Sequence, residues 1–238
     1  MEEELKIHFP EAKIQRMDLD TTRSKSGYET IIEDFEKGET NILVGTQMVT
    51  KGLDFDRVSL VGIFDADRMM HFPDFRSYER SFQLITQVSG RAGRREKKGK
   101  VVIQTSNTQH PLFSYILKND ITSFINDQLL DRQTHFYPPY SRLIEIIIKH
   151  ADKKVVNEAA HGMADELRNQ LKGVTLLGPG EPMISKIRNE YLMTILIKIA
   201  RDRGKLGEIK STVLHVANLL TSSKEFRNVK MVFDVDPV

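Results

Sequence analysis

Apolar positions in the first half of this chain alternate between two rhythms. Residues 14–17 form a short strand candidate, and residues 24–37 place Tyr28, Ile31, Ile32 and Phe35 at helical spacing. Gly38 follows, where the left-handed end of a helix favours glycine. Asn41-Ile42-Leu43-Val44-Gly45 and Val58-Ser59-Leu60-Val61-Gly62-Ile63-Phe64 are nearly continuous apolar runs, the pattern of strands buried on both faces. Helical spacing returns over residues 77–89, with Tyr78, Phe82, Ile85 and Val88 or Ser89 on one side, and residues 101–104 make a further strand. Strands separated by helices need crossover connections, so a mainly parallel α/β sheet is expected. One longer amphipathic helix is expected over about residues 111–133, carrying Phe113, Ile116, Leu117, Ile121, Phe124, Ile125 and Leu129.

Tyr137-Pro138-Pro139-Tyr140 ends that helix and stiffens the chain, since neither proline can donate to a helix or a sheet. A domain boundary and hinge are expected there, dividing the chain into residues 1–136 and 137–238. Beyond it the rhythm changes. Strands are expected at 143–149, 174–177, 191–199 and 229–235, and helices at 153–171 and 207–220, the latter with Ile209, Val213, Val216 and Leu220 on its inner face. Gly178-Pro179-Gly180-Glu181-Pro182 is expected to end the second of these strands. The order β-α-β-β-α-β is that of a small ferredoxin-like α+β domain.

The chain's 238 residues allow one large domain or two small ones, and 39% apolar with 29% charged residues suits an ordinary globular protein. A formal charge of only +2 excludes a binder that is basic throughout. The chain has no cysteine, which excludes disulfides and a thiolate zinc site. No apolar run approaches the roughly 20 residues needed to cross a bilayer. The acidic start Met1-Glu2-Glu3-Glu4-Leu5 has no signal-peptide core. The expectation is a cytoplasmic protein with no membrane partner.

Two stretches carry chemistry. In Gln87-Val88-Ser89-Gly90-Arg91-Ala92-Gly93-Arg94, Gln87, Arg91 and Arg94 stand at i, i+4 and i+7, one face of a helix if the helix continues. The glycines permit close backbone approach, and two guanidiniums match the oxygens of a phosphate. The plainer reading is a helix end decorated with arginines, and the full eight-residue pattern between a helix and a strand outweighs it. The second stretch is Gly45-Thr46-Gln47-Met48-Val49-Thr50-Lys51-Gly52-Leu53-Asp54-Phe55, at the carboxyl end of a parallel strand, where such sheets bind ligands. There Thr46 can donate to a phosphate, Gly52 allows close approach and Asp54 can accept from a ribose hydroxyl. Its plainer reading is a loop in which Thr46 only caps a helix.

These stretches resemble motifs V and VI of the superfamily-2 helicases, and most closely those of the replication-restart DNA helicases. Arg16-Met17-Asp18-Leu19-Asp20-Thr21-Thr22, Asp65-Ala66-Asp67, Pro73-Asp74-Phe75-Arg76, Glu79-Arg80, His110-Pro111-Leu112, Pro138-Pro139 and Asp234-Val235-Asp236-Pro237 also resemble that family. The resemblance implies a second RecA-like helicase lobe, clipped at its N-terminus, followed by the α+β domain. It implies that Arg94 is an arginine finger for the γ-phosphoryl group, that Arg91 shares that duty, and that Gln87 relays nucleotide state. Gly52 and Asp54 would face the nucleotide, Thr46, Gln47 and Lys51 the DNA. In the second domain Arg188 and Tyr191 would contact DNA, although Glu190 and Leu192 stand where relatives tend to carry basic or polar groups.

The resemblance further implies ATP and magnesium held mainly by another lobe, and zinc bound only by cysteines outside this segment. Its implied partners are branched and single-stranded DNA, single-stranded DNA-binding protein and primosome proteins. The implied whole enzyme unwinds DNA 3′ to 5′ and restarts stalled forks. No Gly-x-x-x-x-Gly-Lys-Ser/Thr loop and no Asp-Glu-x-His motif occurs in these residues, so this segment alone is expected to be inactive. The competing reading is a non-catalytic module that grips DNA or a protein. The arginine pair, which a pure binder does not need, argues against it. His71 and His110 lack metal-ligand spacing and are read as loop or capping residues.

Overall fold

The computed structural model describes residues 1–18, 25–45, 58–90, 92, 99–201 and 206–237. The chain divides into two compact units, Met1–Phe124 and Ile125–Val238. The division falls inside a helix, upstream of the double proline where the sequence places it.

In the first unit α1 (Glu2–His8), β1 (Ile14–Met17), α2 (Lys25–Lys37) and β2 (Ile42–Gly45) form one group. The strands β1 and β2 are parallel, in register from Ile14↔Ile42 to Met17↔Gly45. Met17 is fully buried, and Tyr28, Ile31, Ile32 and Phe35 of α2 pack around it, the helical face expected from their spacing. Gly38 ends α2 at φ +78. The second group is β3 (Leu60–Ile63), α3 (Ala66–Met70), α4 (Ser77–Ser89), β4 (Lys100–Ile103), α5 (Pro111–Lys118) and α6 (Ile121–Thr134). Here β3 and β4 are again parallel, from Leu60↔Lys100 to Ile63↔Ile103.

Two expectations change in this unit. The run at β3 was expected to be buried on both faces, but Leu60 is 59% exposed and Val102, on the neighbouring strand β4, 47%. Ile63 and Ile103 pack on a core of Ala66, Met70, Phe82, Ile85, Leu112, Phe113 and Phe124, so a helical layer covers one face of the pair. The long helix expected over 111–133 is instead two helices. Asn119 takes a left-handed φ of 53 and its N–H returns to Ile116 O, closing α5. Asp120 Oδ1 then accepts from Ser123 N at 3.0 Å and opens α6.

The second unit contains β5 (Ser141–His150), α7 (Lys153–Gln170), β6 (Thr175–Gly180), β7 (Lys186–Ile187), β8 (Glu190–Ala200), α8 (Leu206–Ser222) and β9 (Lys230–Val235). The order β6-β8-β5-β9 is antiparallel throughout, the ferredoxin-like arrangement, with β7 added against β8. One face of the sheet carries Ile144, Ile146, Ile148, Met193, Ile195, Ile197 and Ile199. These pack with Ala159, Ala160, Met163, Ala164 and Leu167 of α7 and with Ile209, Val213 and Val216 of α8. Asp152 opens α7, its Oδ1 accepting from Lys154 N at 2.7 Å.

In this unit β6 does not stop at residue 177 as expected. It passes through Gly178-Pro179-Gly180 with an irregular register between Leu177 and Gly180. An edge strand tolerates a proline that cannot donate. Gly178 sits at φ +91, and a Cβ there would come within 2.7 Å of Thr194 O, so glycine is required. No helix among the described residues is long and apolar enough to cross a membrane.

Candidate functional site

The helix α4 leads into the arginine motif, and its orientation is fixed from both sides. At its start, Asp74 Oδ1 accepts from Arg76 N at 2.8 Å while Oδ2 pairs with Arg80 at 2.8 Å. Ser77, Ser81, Phe82 and Ile85 form the buried side; Ser81 Oγ donates to Ser77 O at 2.7 Å, and Phe82 stacks on Phe124 with ring centroids 4.3 Å apart. Gln87 therefore falls on the exposed side. The helix ends at Ser89; Gly90 keeps a right-handed helical backbone (φ −66, ψ −5), its N–H donating to Thr86 O at 3.0 Å. Ala92 N–H turns back to Ser89 O at 3.2 Å. Arg91 and Arg94 lie outside the described residues, so the helical face expected to join them to Gln87 is described only as far as Gly90.

Thr46, Gln47, Lys51, Gly52 and Asp54 also lie outside the described residues. The residue before them, Gly45, is the last of β2, so their segment leaves the carboxyl end of a parallel strand. At the corresponding ends of β3 and β4 the structure shows a latch whose role the sequence did not reveal. Asp67 accepts from Ser106 N at 2.6 Å and from Thr105 Oγ1 at 2.7 Å, and Ala66 N–H donates to Gln104 O at 3.1 Å. These hydrogen bonds, that from the Ser106 backbone first, hold the Asp67 carboxyl below its usual pKa. His110 Nδ1 accepts from Leu112 N at 3.2 Å and so caps α5, as read from the sequence. Its ring lies 5.1 Å from that of Tyr78, and burial lowers its pKa.

In the second unit Arg188 and Asn189 make a two-residue hairpin loop between the paired Ile187 and Glu190. Both have positive φ, 48 and 67, as the favoured two-residue loop demands. Arg188 is exposed at this tip. Tyr191 is half-buried against the helix-covered core, with the Lys186 ammonium 4.6 Å from its ring centroid. Only Arg188 of the two projects freely into solvent. Glu190 pairs with Lys230 of β9 at 2.7 Å, which lowers its pKa. Its carboxylate therefore joins β8 to β9.

Comparison with known proteins places both units. Residues 1–96 match the helicase conserved C-terminal domain, and residues 133–238 the primosomal protein N C-terminal domain. The chain is thus a helicase C-terminal lobe followed by the C-terminal domain of a primosomal protein. Over 238 residues it is 37% identical to the replication restart protein PriA of Bacillus subtilis, covering all of this chain and 29% of that protein. Against PriA of Synechocystis it is 40% identical over 197 residues, 82% of this chain and 24% of the relative. Against PriA of Haemophilus influenzae it is 36% identical over 240 residues, 100% of this chain and 32% of the relative. The chain belongs to the PriA family of replication restart proteins. It spans about a third or less of the length of the relatives it matches.

Proposed function

We propose that this chain is the second-lobe half of an ATP-driven DNA-unwinding motor that restarts stalled replication forks. The observation that carries the reading is α4: its buried side is locked, and it runs directly into Arg91-Ala92-Gly93-Arg94. In this reading Arg94 is the finger that meets charge building on the γ-phosphoryl oxygens, Arg91 assists, and Gln87 senses the nucleotide from the helix. Gly52 and Asp54 face the ribose, and Thr46, Gln47 and Lys51 meet the DNA backbone from the same loop. Arg188 supplies a cation for DNA at the hairpin tip, with Tyr191 beside it. The replication-restart name of the relatives supports DNA as the partner; fork DNA, single-stranded DNA-binding protein and primosome proteins as its particular partners rest on the motif resemblance.

The phosphate-cradling loop and the magnesium carboxylates are not among these residues, so ATP and its magnesium would be held by a lobe outside this sequence. The pure 238-residue chain is therefore expected to release no phosphate from ATP, with or without single-stranded DNA. A colorimetric phosphate assay checks this, and DNA-stimulated turnover would refute it.

DNA contact by this chain is expected to fall on phosphates, because the groups available are cations and hydroxyls and no base-reading set is present. Binding to single strands should tolerate any sequence. It should weaken with salt at a log–log slope of about −0.7 per phosphate contacted. Fluorescence anisotropy with several oligonucleotides over a salt series measures both properties. A strong preference for one sequence, or a slope near zero, would overturn the assignment.

A further inference from the structure

The double proline was read from the sequence as a hinge, yet the hydrogen bonds around it describe a strap. Pro138 and Pro139 have no N–H, so this stretch cannot pair into the sheet by its own donors. Its carbonyls are nevertheless all satisfied. His135 O accepts from Lys198 Nζ at 2.9 Å, Phe136 O from Ser141 Oγ at 2.9 Å and Tyr137 O from Tyr140 N at 3.0 Å. Pro138 O accepts from Arg132 at 2.8 Å and Pro139 O from Arg201 at 3.3 Å.

Lys198 stands out among these donors. It projects from β8 on the sheet face opposite α7 and α8, paired across the strands with Leu143. It is only 5% exposed, and its ammonium sits 3.4 Å from the Tyr137 ring centroid. A buried ammonium costs free energy unless it is compensated, and here a carbonyl and an aromatic face, both from the strap, compensate it. Leu143, beside it, is 1% exposed. The likeness to the primosomal protein N C-terminal domain also begins before the prolines, at residue 133.

We propose that Lys198 is a latch that locks residues 132–140 onto the open face of the second unit's sheet, so that this segment moves with that unit and is not a hinge. The inference is independent of the motor reading, because it concerns the fold of the second unit alone. The latch gives the chain one fixed path into β5.

Hydrogen exchange by mass spectrometry on the whole chain tests it. In the unaltered chain the Phe136, Tyr137 and Tyr140 amides should exchange slowly. Lys198→Met keeps the buried stem but removes the ammonium, and Tyr137→Leu removes its aromatic partner. Tyr137→Leu should speed strap exchange by roughly tenfold, the scale of one cation–π contact, and Lys198→Met, which also loses a charge-assisted hydrogen bond, by roughly a hundredfold, while the Ile146 and Ile195 amides stay protected. If Lys198→Met also melts the core, Arg201→Ala decides, because that exposed side chain meets the strap by donating to Pro139 O. It should raise strap exchange severalfold with the core intact. Free exchange at the strap in the unaltered chain would overturn the proposal. So would unchanged strap exchange in Lys198→Met with a folded core or, where that variant melts, in Arg201→Ala.

Discussion

Arg94→Ala, made in a full-length PriA carrying this C-terminal region, should cut DNA-stimulated ATP turnover by about 10³- to 10⁵-fold, the value of an arginine finger in related phosphoryl-transfer enzymes. Unwinding should be lost, and DNA binding should remain nearly intact. The helix α4 has its start tied down by Asp74 and its middle stacked against Phe124. A helix held this way fixes where the chain leaves it, at Gly90. Gly90 and Gly93 then permit the close approach that a guanidinium needs to reach a phosphate bound elsewhere. Arg94→Lys should restore little, since an ammonium lacks the planar fork. Arg95→Ala removes the same charge one residue on and should be mild, which separates a finger from a general loss of positive potential. Steady-state ATPase and filter-binding on the three variants measure this. Near-normal turnover in Arg94→Ala, or a crippled Arg95→Ala beside it, would move the finger elsewhere.

How legible these features were depends on how local their causes are. The helix α4 was readable to the residue because Tyr78, Phe82 and Ile85 keep a helical period and the buried serines do not interrupt it. The same reasoning failed at Asn119. The apolar spacing of Phe113, Ile116, Ile121 and Phe124 continues through the break, and only the Asn-Asp pair marks it. The strand β7 was missed because two residues carry no periodicity, and its Arg-Asn loop lacks the glycine that usually advertises such a turn. The hydrogen bonds around the double proline were not legible for a different reason: the donor Lys198 lies 63 residues from the carbonyl it serves. The arginine motif was read from residue types alone, and Arg91 and Arg94 lie outside the described residues. The placement of Glu190 was not legible, because its partner Lys230 comes from another strand.

Ile146→Ala should destabilise the second unit by about 2–5 kcal/mol, the usual cost of emptying a fully buried aliphatic site. Ile146 is 0% exposed on the central strand β5, directly opposite Ile195 on one side and Phe233 on the other. Two neighbouring strands and the overlying helices hold the surrounding side chains in place, so collapse into the void is restricted and the cavity term stays large. At about 1–3 kcal/mol per molar urea, the midpoint should fall by roughly 1 M or more. Val232→Ala is the matched control. It lies on the edge strand β9, paired with Ile147 on the opposite face, and is 44% exposed, so its cost should stay within about 0.5 kcal/mol. Urea titration followed through the Ile195 and Ile197 amide signals reports on this unit alone. If Val232→Ala proves the costlier change, the sheet buries the other face, and the packing of α7 and α8 assigned to it is wrong.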